Sequence, residues 1–334
     1  MRSEHSAGAG LGLALLSAAT FGSSGAFARP LLDTGWSAGA AVAARVGIAA
    51  LILAVPAALA LRGLWGVARS ASGSVALFGL LAVGGAQVGF FNAVRYLPVG
   101  VALLLEYSGI VLVVAWMWAR HGHRPRRLTV AGVAAAVVGL LLILDIAAGA
   151  DIHPAGVAWG LVAAVGLASY FVLSAQLDPR LPAVALAAGG MAFGAAVLLA
   201  LGVVGALPMR VASGPVLLAG HSVSWLVPVV GLSLVAAVIA YLAGIGAART
   251  LGAALSSFVG LTEVVFAVLI AWLALGELPT VIQAVGGGCV VAGIALVRLD
   301  QLRHARPLPP PAGNSGQGTA ANDELRSPAG CGNR

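Results

Sequence analysis

The chain contains no lysine, and charged residues of any kind occupy only 9% of its 334 positions. A soluble domain carries about a quarter charged residues. Most of this chain therefore does not face water. With 60% hydrophobic residues and a mean hydropathy of +1.02, it fits a polytopic membrane protein. Cysteine is almost absent too. Cys289 and Cys331 have neither metal-ligand spacing nor a credible mutual disulfide. No Ser/His/Asp or Cys/His set lies within the apolar segments, and there is no phosphate-binding loop. His121 and His123 resemble a metal pair only superficially. Arg120, Arg124, Arg126 and Arg127 surround them, and that positive charge opposes a divalent cation. These absences argue against an enzyme, a resident metal and a cofactor. The net charge of +7 would suggest nucleic-acid binding in a soluble protein. Here the arginines sit at the ends of apolar segments, where they set topology, so a nucleic-acid partner is not expected.

What is present is a repeat at an offset of 154 residues. Ala93-Val94-Arg95-Tyr96-Leu97 returns as Ala247-Ala248-Arg249-Thr250-Leu251. Trp118 returns as Trp272, Gly122 as Gly276, Pro125 as Pro279, Gly132 as Gly286 and Gly139 as Gly293. Glycines, a proline and an arginine recurring in register mark a true internal repeat. Two related halves in a membrane are the usual architecture of a secondary transporter, with the substrate site between them.

Ten segments have the roughly 20 apolar residues that a spanning helix needs. They lie near 8–28, 37–61, 74–95, 97–119, 127–147, 155–176, 182–205, 223–247, 250–273 and 279–298. Pro, Gly and Arg mark most of the links. Two longer links stand out: Ile146–Pro154, joining the halves, and a loop of mixed character over Leu207–Ser222. The expected fold is all-α and integral to the membrane, with ten transmembrane helices as two inverted five-helix repeats. Residues 1–7 form an N-terminus, 8–147 the first repeat, 155–298 the second, and 302–334 a disordered tail rich in Pro, Gly and Ser. Met1-Arg2 and Ala26-Phe27-Ala28 resemble a cleavable signal, but cleavage would leave the first half one helix short.

Arginine placement fixes the expected orientation. With the N-terminus inside, the inner loops hold Arg62, Arg69, Arg120, Arg124, Arg126, Arg127, Arg180 and Arg249. The outer loops hold only Arg29, Arg95 and Arg210. That asymmetry predicts both termini in the cytoplasm. Arg95 then lies outside and its mate Arg249 inside, as an in-plane two-fold axis requires.

Three charges fall inside apolar segments: Arg45, Glu106 and Glu263. Each costs about 2.5–3.5 kcal/mol at the bilayer centre on an insertion scale, so each is a functional candidate. At about 1.5 Å per residue, Glu106 lies roughly 14 Å, Glu263 roughly 12 Å and Arg45 roughly 10 Å from the outer face. Ala102, Glu106, Gly109 and Val113 share one helix face, and Gly252, Ser256, Gly260 and Glu263 share another. At the 154 offset Glu106 matches Gly260 and Gly109 matches Glu263. The carboxylates thus sit one turn apart on equivalent faces. Two readings stand. In one, both line a central cavity, where they bind a substrate ammonium or exchange a proton. In the other they are a structural pair, one of them bridged to Arg45, the candidate charge partner. Asn92, Tyr107, Tyr170 and Ser256 are further candidate binding residues, because polar groups in hydrocarbon face a cavity or bond across helices. Gln87, Ser23, Ser24, Ser169, Tyr241 and Ser257 form a second tier. Trp36, Trp118 and Trp272 read as interfacial anchors.

The segment pattern and several local runs resemble the drug/metabolite transporter superfamily, specifically the EamA-type transporters. The carrying residues are Leu15–Ser24 around Phe21-Gly22, Arg45 in the second segment, Asn92–Gly100 at the third-to-fourth junction, Leu105-Glu106-Tyr107, and Gly276-Glu277 before Pro279. Phe21 stands where the family often has Trp. His121-Gly122-His123 replaces the Gly-Glu typical of the first half. The resemblance implies a secondary transporter of the plasma (inner) membrane that moves small metabolites, often amino acids, usually outward, with protons as the candidate coupling ion. The only other partner expected is the bilayer itself.

Overall fold

The structure, a computed structural model, describes residues 2–97, 99–121, 126–143, 153–275 and 280–304. The first half holds helices α1 (Arg2–Gly22), α2 (Ser24–Asp33), α3 (Ala38–Ala60), α4 (Trp65–Ser70) and α5 (Ser72–Phe78). A π-helical turn, π1 (Gly79–Gly85), then leads to α6 (Ala86–Ala93), α7 (Val99–Tyr107), α8 (Gly109–His121) and α9 (Arg127–Ile143). The second half holds α10 (Pro154–Gln176), α11 (Ala183–Val203), a hairpin of β1 (Val216–Leu218) and β2 (His221–Val223), and α12 (Leu226–Ser233). A second π-turn, π2 (Leu234–Ile239), leads to α13 (Ala240–Leu251), α14 (Ala253–Gly260), α15 (Thr262–Leu275) and α16 (Val281–His304).

Counting consecutive helices as one path, eight segments among the described residues are long and apolar enough to cross a membrane. Two further apolar stretches, Arg127–Leu142 in α9 and Val281–Val297 in α16, are shorter. The chain is a multi-pass membrane protein. Residues 2–7 continue α1, ahead of the membrane-crossing stretch that starts at Gly8. The loop over Leu207–Ser222 contains the β1–β2 hairpin, which turns through Ala219 and Gly220 at φ 49° and 78°. The tail beyond His304 and the link at 144–152 lie outside the described residues, as do Gly122, His123, Gly276, Glu277 and Pro279.

The halves interlock. α1 packs on α13 and α15, while α10 packs on α6, α7 and α8, so each half sends its first helix into the other. α3 pairs with α11, and α9 with α16. Lipid tails are as apolar as leucine, so these contacts depend on close packing rather than on hydrophobic expulsion. Glycine supplies the closeness. A Cβ at Gly139 would stand 2.6 Å from the Gly286 carbonyl oxygen, and one at Gly132 would stand 2.7 Å from that of Gly293. The glycine face of the fifth and tenth segments therefore packs on protein. The pairing of 132 with 293 and of 139 with 286 also makes these repeat-related helices antiparallel.

The N-terminal end of α3 is tied down through Ser37. Its hydroxyl donates to the Pro208 carbonyl at 2.7 Å and accepts from the Arg210 N–H at 2.9 Å and the Ala40 N–H at 3.3 Å. The last of these caps the helix. Trp36 Nε1 donates to the Ala212 carbonyl at 2.7 Å. At the opposite end, Arg249 Nη1 donates to the Leu181 carbonyl at 2.8 Å. Nearby, Arg180 Nη2 meets Asp178 Oδ2 at 2.8 Å, and its hydrogen bonds hold the Asp178 carboxyl below the usual range. That pair is solvent-exposed and contributes little stability.

Candidate functional site

Two membrane helices break at repeat-equivalent points. α7 gives way to α8 at Ser108, and α14 gives way to α15 at Leu261. The hydroxyls beside the breaks correspond as well. Ser108 Oγ donates to the Leu105 carbonyl at 2.5 Å, and Thr262 Oγ1 donates to the Val259 carbonyl at 2.7 Å. Hydroxyls that bond back onto the helix compete with its ladder and bend it. Glu106 lies in the last turn before the first break, and Glu263 in the first turn after the second. The positive end of the α15 dipole favours a carboxylate at Glu263, whereas the C-terminal end of α7 gives Glu106 no such support. Glu106 must therefore find its stabilisation in side chains or a ligand.

Both carboxylates line one internal cavity of about 220 Å³. Arg45, Tyr107, Tyr170 and Ser256 line it too, together with Phe21, Phe171 and Tyr241. Backbone packing positions the parts. A Cβ at Gly22 would lie 2.8 Å from the Glu263 carbonyl oxygen, so α1 and α15 cross in near contact there. Gly109 sits against the backbone of Ala164, which draws α10 to the first break. Tyr107 and Glu263 lie close enough to interact electrostatically. Arg45 lies within electrostatic range of both glutamates. Its Nη2 donates to the Ala236 carbonyl in π2, and its Cζ stands 5.6 Å from the Phe21 ring centroid, a cation–π contact. Phe21, Tyr170 and Tyr241 form an aromatic wall, with centroids 6.2 Å (Phe21–Tyr170), 5.1 Å (Phe21–Tyr241) and 5.4 Å (Tyr170–Tyr241) apart.

Two donors here have no acceptor among the described residues: Arg45 Nε and the Tyr170 hydroxyl. Tyr170 Oη lies close to Ser17 Oγ. Ser17 gives its proton to the Ala240 carbonyl at 2.8 Å and keeps lone pairs, but the Tyr170 hydroxyl meets them without hydrogen-bond geometry. A cavity that brings two half-buried carboxylates together with unsatisfied donors suits a small ligand that carries both positive and negative groups. The volume lies below the roughly 300–1,000 Å³ of sites for drug-sized molecules.

Asn92 is not part of the cavity. Its Nδ2 donates to the Val88 carbonyl at 2.9 Å, and its Oδ1 accepts from Arg95 Nη1 at 3.4 Å, at the end of α6. Asn92→Ala should therefore leave solute flux close to that of the wild type, with the change confined to local helix-end stability; a large flux loss would mean that the junction takes part in transport. Ser17, Phe90 and Phe171, which sequence reasoning passed over, also line the cavity. The spacing of Ala14, Ser17, Ala18 and Phe21, one face of α1, was the available signal.

Helices broken at matched points around a cavity with charged and aromatic side chains in its wall, in a multi-pass membrane protein with interlocked related halves, are the usual architecture of a secondary transporter. The comparisons then supply the family. The EamA-like transporter family matches residues 8–145 and again 154–299, and the chain belongs to it. A solved crystal structure, described only as that of a protein, superposes with a TM-score of 0.70 at 21% identity, covering 88% of this chain and 98% of its own. That likeness shows the fold. No curated protein matches the chain.

Proposed function

We propose that the protein is a secondary transporter, not an enzyme, that exports small metabolites such as amino acids. In this reading ten helices span the plasma membrane as two inverted five-helix halves, with both termini cytoplasmic, and the central cavity opens alternately to either side. One observation carries the reading: Glu106, Glu263 and Arg45, the three charges within apolar segments, converge on one cavity at matched helix breaks. Buried charges are costly unless they serve binding or conduction. Arg45 Nε and the Tyr170 hydroxyl would take the substrate's anionic end, the glutamates its ammonium, and the aromatic wall an apolar side chain. Protons are the candidate coupling ion, carried by a glutamate when the ammonium is absent.

Flux in proteoliposomes, with a panel of amino acids and related small metabolites, tests the reading. Saturable movement of an amphoteric solute is expected. If no solute crosses faster than in empty vesicles, transport is the wrong class. Orientation has its own test. Reporters fused after Arg306 and within 120–127 should read cytoplasmic, and one near Asp151 should read external. A cytoplasmic signal near Asp151 would make the halves parallel and end the inverted arrangement.

A further inference from the structure

The two π-turns stand at the same place in the two halves. In π1 the Ala86 N–H donates to the Leu81 carbonyl, five residues back. In π2 the Ala240 N–H goes to the carbonyls of Val235 and Ala237. Each helix thereby passes over the acceptor that a regular α-turn would use, four residues back. Those acceptors are Ala82 and Ala236, 154 residues apart. A buried carbonyl left without its usual donor is costly until another group fills it. In the second half a cationic side chain fills it, because Arg45 donates to the Ala236 carbonyl. Among the described residues no side chain does the same for Ala82 in the first half. α11, the counterpart of α3, carries no cationic residue over Ala183–Val203. Ala82 itself lines the cavity, as does Glu106.

We propose that the Ala82 main-chain carbonyl is a substrate-binding group, accepting an N–H from the ligand's ammonium beside Glu106. The ligand's cationic donor does in the first half what the Arg45 guanidinium does in the second. This rests on the cavity being the substrate site, and it narrows the substrate to amines that keep an N–H. A carboxylate alone would also hold a quaternary ammonium, through charge. A carbonyl acceptor requires a proton to receive. The substrate is also oriented, with its ammonium toward π1 and its anionic end toward Arg45.

The carbonyl can be filled from within. A serine four residues after an acceptor bonds back to it, and this chain does so at Ser169 to Val165 (2.7 Å), Ser233 to Val229 (2.8 Å) and Ser256 to Gly252 (2.7 Å). Ala86→Ser places a hydroxyl in that relation to Ala82. Ala86→Cys, of similar shape but a weak donor, is its control. Thermal-shift titration of the purified full chain would use the proteinogenic L-amino acids and their N,N,N-trimethyl derivatives. Wild type should bind the primary amines about tenfold more tightly than the trimethyl forms. Ala86→Ser should lose about that factor for the amines alone, while Ala86→Cys stays near wild type. Equal affinity for amine and trimethyl forms in wild type would overturn the proposal, even if the serine variant fails to fold. So would equal behaviour of the serine and cysteine variants. If no amino acid in either form shifts the melting temperature and none crosses in proteoliposomes, the transport reading itself fails, a distinct result.

Discussion

Glu106→Gln is expected to leave the protein folded and inserted while cutting solute flux by about tenfold or more, the worth of one charge-assisted hydrogen bond. Glutamine nearly matches glutamate in shape and removes a charge that is costly in hydrocarbon, so folding has no reason to suffer. The ammonium of the substrate would lose its counter-charge. If a proton travels on this carboxyl, the pH dependence of flux should flatten as well. Glu263→Gln should act in the same direction. The double variant should lose less than the product of the two single losses, because groups facing one cavity are energetically coupled. Flux across a pH series, read beside a thermal-melting control, decides this. Wild-type flux with an unaltered pH profile in Glu106→Gln would reduce the residue to scaffolding and leave the cavity without its main binding group.

The second large effect is structural. Gly293→Leu should lower the melting temperature of the detergent-solubilised protein markedly. A Cβ there would stand 2.6 Å from the Gly132 carbonyl oxygen and 2.9 Å from the Ala136 nitrogen. Both are backbone atoms and cannot turn aside, so α9 and α16 must separate. Overpacking of ordinary side chains already costs about 1–3 kcal/mol. Gly288→Leu is the matched control, since nothing lies within 4 Å of a Cβ at that position. Equal melting of the two variants would show that the α9–α16 seam does not hold the fold together.

The sequence showed the helices and their pairing through features that physics makes costly. Glycines kept in register at 132, 139, 286 and 293 announced a close seam, because glycine gains nothing against acyl chains. Glu106, Glu263 and Arg45 stood out as charges in hydrocarbon, which need partners, and they meet at one cavity. What stayed hidden lacked a compositional mark. The β1–β2 hairpin turns on Ala219-Gly220, with positive φ at both residues, where Asn-Gly or Asp-Gly would have been the usual signal. The π-turns over Gly79–Gly85 and Leu234–Ile239 read as unbroken apolar helix, since one extra residue per turn leaves hydropathy unchanged. Asn92 looked like a cavity residue because it is polar within an apolar run. Its side chain is instead bonded to its own helix end and to Arg95, a choice that hydrophobic periodicity does not report.

The α9–α16 seam also sets an order of assembly. α9 packs extensively on α16, and α16 is the last of the described helices to be made. Synthesis at about 5–20 residues per second puts roughly 10–30 s between them. For that interval a glycine-faced helix waits without its partner, and the first half cannot complete its own packing. The seam therefore closes only once α16 has been made, and the glycine face of α9 stays open until then.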